Sequence, residues 1–196
     1  MRVLILASAS PRRSELLRNA GIGFEVYPAH IHEEPLTGEA PIDYAQRLAR
    51  DKATTVLARH PDAMVLGADT VVVVDAHLLE KPANAEDAVR MLRLLSGRTH
   101  QVITGVSLLA DNFERTEAEV TQVAFVRMLE HEIAEYVASG EPMDKAGAYG
   151  IQGLASRWVE RIDGDYFNVV GLPVRRVYRM LNEAQRVKSP SAPRSR

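Results

Sequence analysis

Apolar residues along this chain come in short bursts separated by polar, glycine-bearing gaps. Val3-Leu4-Ile5-Leu6-Ala7 is a continuous apolar run, the pattern of a buried strand, and predicts a strand over about residues 2–7. Leu16, Leu17 and Ala20 then recur at helical spacing, with Gly21 in the stopping position of that helix. Phe24-Glu25-Val26-Tyr27 alternates like a half-buried strand. Beyond a polar stretch from His30 to Ala40, the stripe Ala45, Leu48, Ala49, Ala53 and Val56 predicts a long helix from about Pro41 to Arg59. Residues 64–66 and 70–74 read as strand pieces broken by Gly67-Ala68-Asp69, and Asp75-Ala76-His77 turns the chain back through residues 78–80. Asn84 suits the N-cap of a helix reaching Leu95 and closed by Gly97. Two longer strands, about 99–110 and 114–127, pair as a hairpin across Asp111-Asn112. A helix over about 130–138, a glycine-rich segment from Gly140 to Gly153, a strand over 157–162 and a last helix over 172–183 complete the pattern. Strands and helices in this alternation indicate an α/β or α+β sheet protein with a cleft.

Composition narrows the picture. A chain of 196 residues with 46% apolar content can bury one sizeable core, which predicts a single domain over residues 1–183. Residues 184–196, rich in Ser, Pro and Arg, read as a disordered tail. A formal net charge of -2 provides no global basic field for nucleic acid, so any anion must be bound by local placement. The absence of cysteine excludes disulfides and thiolate metal sites. No apolar run approaches the ~18 residues of a membrane span. The apolar run after Met1-Arg2 is too short for a signal peptide, and Pro11-Arg12-Arg13 follows at once. The expectation is a soluble, cytoplasmic protein without a membrane or nucleic-acid partner.

The first candidate chemistry lies where charge breaks the usual rule. A helix start is electropositive, and three later helices open accordingly with Asp43, with Glu86 and Asp87, and with Glu130 and Glu132. The first helix opens instead on Arg12 and Arg13, preceded by the hydroxyls of Ser8 and Ser10, with Pro11 at a position needing no N–H. Strand, donor-rich turn and basic helix start together suit a phosphate. An accidental surface pair is the plainer alternative, and Leu172-Pro173-Val174-Arg175-Arg176 shows that Pro plus two arginines alone proves little.

Further charges fall on apolar faces. Lys52 sits on the stripe of the second helix, four residues after Leu48, where it either meets an anion or snorkels to water. Asp69 lies between Met64-Val65-Leu66 and Val71-Val72-Val73-Val74, where a lone carboxylate loses solvation unless paired or metal-bound; a turn Asp at a strand break is the alternative. Lys81 ends the next strand in Glu80-Lys81-Pro82, and Glu33 and Glu34 are the nearest further acids. Carboxylates suit Mg²⁺, while lysine and arginine suit a polyphosphate. His30 and His32 could share a strand face, but no third metal ligand is evident.

In Asp144-Lys145-Ala146-Gly147-Ala148-Tyr149-Gly150-Ile151-Gln152-Gly153, glycines flank an amide side chain. Glycine permits close approach of a ligand, and Gln152 offers an acceptor and two donors that match the edge of uracil or thymine. Turned over, the same amide suits cytosine. A tight loop with a solvated Gln is the structural alternative.

Together these residues resemble the Maf family of nucleoside triphosphate pyrophosphatases from Val3 to about Leu181: LASASPRRSELL, Glu33, LARDKA around Lys52, GADTVV around Asp69, LEKP around Lys81, LSGRTHQVITGV and SGEPMDKAGAYGIQG. The resemblance implies an elongated α/β fold, a mixed sheet with flanking helices whose two lobes flank a deep cleft. It implies hydrolysis of a nucleoside triphosphate to the monophosphate and pyrophosphate with a divalent metal, Mg²⁺ or Mn²⁺. Arg12, Thr70 and Gln152 match the branch acting on dTTP and UTP, whereas the branch associated with 7-methyl-GTP departs at the second basic position of the first loop, here Arg13. By this likeness Ser8, Ser10, Arg12 and Arg13 hold the triphosphate, Lys145 is a further phosphate contact, and Thr70 and Gln152 read the pyrimidine. Glu33 and Asp69 hold the metal, with ungapped spacing favouring Glu33 over Glu34. Asp69 is the general base, and Lys52 and Lys81 offset phosphate charge. A homodimer is also implied. The family name carries a rival role in cell division or septum formation, which would need nucleotide binding without turnover, and the same reaction on another base is a second alternative.

Overall fold

A computed structural model describes residues 2–187 of the chain. Seven strands form one mixed sheet in the order β2-β1-β3-β5-β6-β7, with β4 paired to β3. They are β1 (Leu4–Leu6), β2 (Glu25–Val26), β3 (Met64–Val74), β4 (His77–Leu79), β5 (Thr99–Ala110), β6 (Phe113–Phe125) and β7 (Val159–Asp163). β1 runs parallel to β2 and β3; every other pairing is antiparallel. The helices are α1 (Pro11–Asn19), α2 (Pro41–Leu57), α3 (Ala85–Leu95), α4 (Glu130–Ala138), α5 (Tyr166–Val170) and α6 (Val174–Val187). Between α4 and β7 the chain passes through short 3-10 turns at Glu141–Asp144, Ala146–Ala148 and Leu154–Trp158.

Most elements follow the apolar pattern, and local chemistry explains their ends. Asn84 caps α3 by accepting the Asp87 amide at 2.8 Å. Gly21, at φ 69°, takes the left-handed position after α1. Two expectations are corrected, and one element is new. Gly67-Ala68-Asp69 does not break a strand: β3 runs unbroken from Met64 to Val74, each of the three residues paired to β5. The last helix continues past residue 183 to Val187, because Ala184 adds a buried residue to its stripe; residues 188–196, the rest of the expected tail, lie outside the described residues. The short helix α5 had no strong periodic signal and rests on Asp165, whose carboxylate accepts the Phe167 amide at 2.8 Å.

The glycines of the sheet explain how α2 is seated. A Cβ on Gly67 would lie 2.0 Å from the Ala49 carbonyl oxygen, and one on Gly105 would lie 2.2 Å from that of Ala45. The helix backbone therefore rests directly on the sheet across the paired residues Asp69 and Gly105. Only the absence of a side chain allows that approach. Around it Tyr44, Ala45 and Leu48 pack on Val71 and Ile103, while Ala53 and Val56 pack on Ile5, Val65 and Leu109. A larger cluster from α1, α3, α6 and the turns after α4 contains Leu66, Val72, Val106 and Leu108. Strand alternation thus directs Asp69 towards α2 and Thr70 to the opposite face.

Candidate active site

A cleft of about 740 Å³ opens beyond the end of β1. Ser8, Ser10, Arg12, Arg13, Glu33, Lys52, Asp69, Thr70, Lys81, Lys145 and Gln152 all line it, so every site residue expected from the sequence converges on one cavity.

At its floor the Lys52 ammonium lies 2.7 Å from Asp69 Oδ1 and 2.8 Å from Glu33 Oε1. The Lys52 side chain is only 9% exposed, so it does not snorkel; it answers two acids. Glu34 instead faces His32 at 3.4 Å on the surface, which selects Glu33 as the inward acid. Burial pushes the Asp69 carboxyl up, while Lys52 and Arg13 pull it back without cancelling the rise. At Glu33 burial acts the same way, but the hydrogen bond to Lys52 and the charges of Lys52, Lys81 and Arg13 outweigh it and hold this carboxyl below the usual glutamate value. Asp69 Oδ2 and Glu33 Oε2 have no hydrogen-bond partner among the described residues.

The two arginines at the start of α1 do different things. Arg12 crosses the cleft mouth to Asp144, donating to Oδ2 at 2.9 Å and to the carbonyl at 3.3 Å. Arg13 turns inward and donates to Ser8 Oγ at 3.0 Å, Ala68 O at 2.9 Å, Thr70 Oγ1 at 3.0 Å and Gly171 O at 2.9 Å. It ties the turn after β1 to β3 and to the α5–α6 junction, and burial lowers its pKa. The helix carries no acid in its first turn, and Ser10 makes no side-chain cap, so its leading amides have no capping side chain at the edge of the cleft. The look-alike Arg176 is a surface residue of another kind: it donates to Glu119 at 2.8 Å and also pairs with Glu117 on β6.

Thr70 Oγ1 is engaged with Arg13 and with Thr104 Oγ1 at 2.9 Å, whereas the exposed Gln152 has no protein partner among the described residues. Lys145 Nζ donates to Glu141 O at 2.6 Å and to Asp144 Oδ1 at 2.7 Å. The exposed Lys81 forms no ion pair among the described residues and remains free to meet an anion. No three His, Cys, Asp or Glu residues among those described form a metal-binding group, so His30 and His32 do not make the centre of one.

A family model described as Maf-like protein matches residues 3–184. The chain belongs to the Maf-like protein family. It is 62% identical over 181 residues to a protein of Koribacter versatilis named dTTP/UTP pyrophosphatase, covering 92% of this chain and 94% of the relative. Relatives of the same name from Geobacter metallireducens and Bacillus pumilus are 54% and 47% identical, covering 87% and 92% of this chain and 90% and 96% of their own. A solved Vibrio cholerae structure superposes with a TM-score of 0.37 at 13% identity, covering 71% of this chain and 78% of that one; a likeness that weak carries no argument.

Behind the lining of this Maf-like cleft several residues had no separate sequence signal. The Tyr44 hydroxyl, buried on α2, donates to Glu80 Oε1 at 2.5 Å, and burial together with Glu80 drives its pKa well above the usual tyrosine value. The pair fixes the segment that carries Lys81. His100 and Tyr149 meet at 2.8 Å beneath the glycine-rich loop, and burial depresses the His100 pKa to about 4. Tyr44, eight positions before Lys52, was not among the stripe residues read from the sequence, and its hydroxyl gave no signal there.

Proposed function

We propose that this chain hydrolyses nucleoside triphosphates, foremost dTTP and UTP, to the monophosphate and pyrophosphate. The observation that carries the reading is Lys52 bridging Asp69 and Glu33 on the floor of a cleft whose wall is an acid-free helix start. Opposite charges converge where a phosphate chain would need both. The names of the relatives, at 47% to 62% identity over most of the chain, support the same substrates.

In this reading Arg12, Ser10 and the leading amides of α1 receive the triphosphate, with Lys81 and Lys145 offsetting its charge. Arg13 adds positive charge from beneath and positions Ser8 and Thr70 through its hydrogen bonds. Gln152 meets the base edge, and Thr70 shapes the pocket from β3. Asp69 takes the proton of the water that attacks the α-phosphorus. A new P–O bond forms there, the bond from the α-phosphorus to the bridging oxygen breaks, and pyrophosphate leaves. Lys52 holds the Asp69 carboxylate in its ionised form and in place.

Glu33 and Asp69 fit a hard divalent cation such as Mg²⁺ or Mn²⁺. Each keeps one oxygen without a protein partner, and such ions take one or two carboxylates together with substrate phosphates. When bound, the ion would neutralise phosphate charge and acidify water.

Incubating the protein with dTTP or UTP and a divalent metal, and measuring pyrophosphate and monophosphate in equal amounts, tests the reading. Stoichiometric binding of nucleotide without product would replace it with a regulatory role.

A further inference from the structure

We propose that Glu141 is a positioning residue for base selection, acting through the backbone on either side of Gln152. The proposal rests on Gln152 as the reader of the base and adds what holds that reader in register.

Gln152 stands on a turn outside the sheet and helices, closed by the Gly153 amide donating to the Gly150 carbonyl at 3.1 Å. Two loop amides bracket the segment that carries it. The Gly150 amide donates to the Tyr136 hydroxyl at 3.2 Å, and the Leu154 amide donates to Glu141 Oε2 at 3.1 Å. The two acceptors are themselves joined, because the Tyr136 hydroxyl donates to Glu141 Oε1 at 3.0 Å. One Tyr136–Glu141 unit therefore holds both ends of Gly150-Ile151-Gln152-Gly153-Leu154. Tyr136 is anchored in the core at 1% exposure, which makes the unit a fixed reference for the loop.

The Glu141 carboxylate also occupies the space beside the loop. A Cβ on Gly153 would lie 2.1 Å from Glu141 Oε1 and 2.7 Å from Oε2. The carboxylate thus lies against the backbone next to Gln152, and a side chain at position 153 would push it aside. Glu141 lines the same cleft, and its carbonyl accepts the Lys145 ammonium, so base-reading and phosphate-binding parts of this wall share one support.

The chemistry calls for a carboxylate. Both oxygens of Glu141 accept, one from a hydroxyl and one from an amide, and an ionised carboxylate is an acceptor at both. Glu141→Gln is a mild change, because its carbonyl can still accept from the Leu154 amide while its NH₂ donates to the Tyr136 oxygen, and only the Tyr136 proton loses its acceptor. Glu141→Met keeps the length and removes both acceptors, so the Leu154 bracket is lost. A displaced Gln152 can still approach a pyrimidine, but its acceptor and donors no longer match uracil or thymine in preference to cytosine.

The experiment compares kcat/KM for dTTP and dCTP in the parent, Gln152→Ala, Glu141→Met and Tyr136→Phe. The expected result is a large fall of the dTTP-to-dCTP ratio in Gln152→Ala and a fall of about fivefold or more in Glu141→Met, the scale of one lost hydrogen bond. Tyr136→Phe, which frees the Gly150 amide, should move the ratio in the same direction. A ratio that collapses in Gln152→Ala but stays within about twofold of the parent in both other variants overturns the role of Glu141 and leaves Gln152 as the reader. Equal loss on both substrates in those variants also overturns it, since a merely structural residue would act that way. An unchanged ratio in Gln152→Ala removes the base reader itself and this proposal with it.

Discussion

Lys52 Nζ sits 2.7 Å from Asp69 Oδ1, although the two residues belong to a helix and a strand that the sequence separates by a polar turn. The contact exists because α2 rests backbone-to-backbone on β3 at Gly67, two residues before Asp69 on the same strand face. A small-residue seam in the sheet thus sets the depth of the lysine, and the lysine sets the state of the acid.

Asp69→Asn keeps shape and removes basicity. Pyrophosphate release from dTTP should fall about 10²–10⁴-fold, the usual range for a general base, while nucleotide binding measured by calorimetry persists. Turnover within about threefold of the parent would exclude Asp69 from that role.

The pH profile follows from the same pair. A general base must be ionised, so kcat/KM should fall on the acid side as Asp69 is protonated; burial raises its pKa, and a cation at the carboxylate would lower it. Lys52→Gln removes a charge that lowers this pKa, and the acid limb should move to higher pH. A limb that stays in place or moves down in Lys52→Gln would contradict the electrostatic link.

Gly67→Ala tests the seam. The added methyl meets the Ala49 carbonyl oxygen at 2.0 Å and the Ala53 amide nitrogen at 2.9 Å, both backbone atoms, so α2 must lift from the sheet. Overpacking of this kind typically costs about 1–3 kcal/mol, visible as a lower urea midpoint. Turnover of the folded fraction should fall as well, because Lys52 moves with the helix. Unchanged midpoint and turnover would show that the helix can shift freely.

The two arginines of α1 should separate in their effects. Arg12→Ala should raise KM for dTTP with little change in unfolding, since its protein partner is an exposed Asp144. Arg13→Ala removes the donors to Ser8, Ala68, Thr70 and Gly171 and should lower stability by roughly 1–3 kcal/mol as well as activity. Equal urea midpoints for the two variants would argue against this division.

His100 makes stability depend on pH. Its pKa falls from 6.5 to about 4 on folding, so between those values the unfolded chain holds a proton that the folded chain does not. Its contribution to stability is complete above pH 6.5 and is lost as pH falls towards 4, by up to roughly 3 kcal/mol. Urea midpoints across that range should decline with falling pH, and less steeply in His100→Asn. An equal slope in both proteins would assign the decline to other groups.

Much of this was legible along the chain. Apolar runs and their stops placed most strands and helices, because burying one face requires a period that residue order displays directly. Misplaced charge was equally plain: Arg12 and Arg13 at a helix start, Lys52 on an apolar stripe and Asp69 among valines each ask for a partner. Gly67 was misread for a concrete cause. A glycine that opens a turn and a glycine that admits a helix backbone look alike in one dimension, and only the 2.0 Å approach to Ala49 distinguishes them.

Residue order thus established which side chains needed counterparts, since desolvating a charge carries the same penalty wherever the chain places it. It did not establish who answers whom. Lys52 joining two acids, Arg13 turning inward while Arg12 crosses the mouth, and Tyr136 with Glu141 bracketing Gln152 are contacts between residues distant in sequence or buried in loops without a period. Those pairings depend on distances of a few ångströms between separate elements, which exist only once the sheet and α2 have packed together.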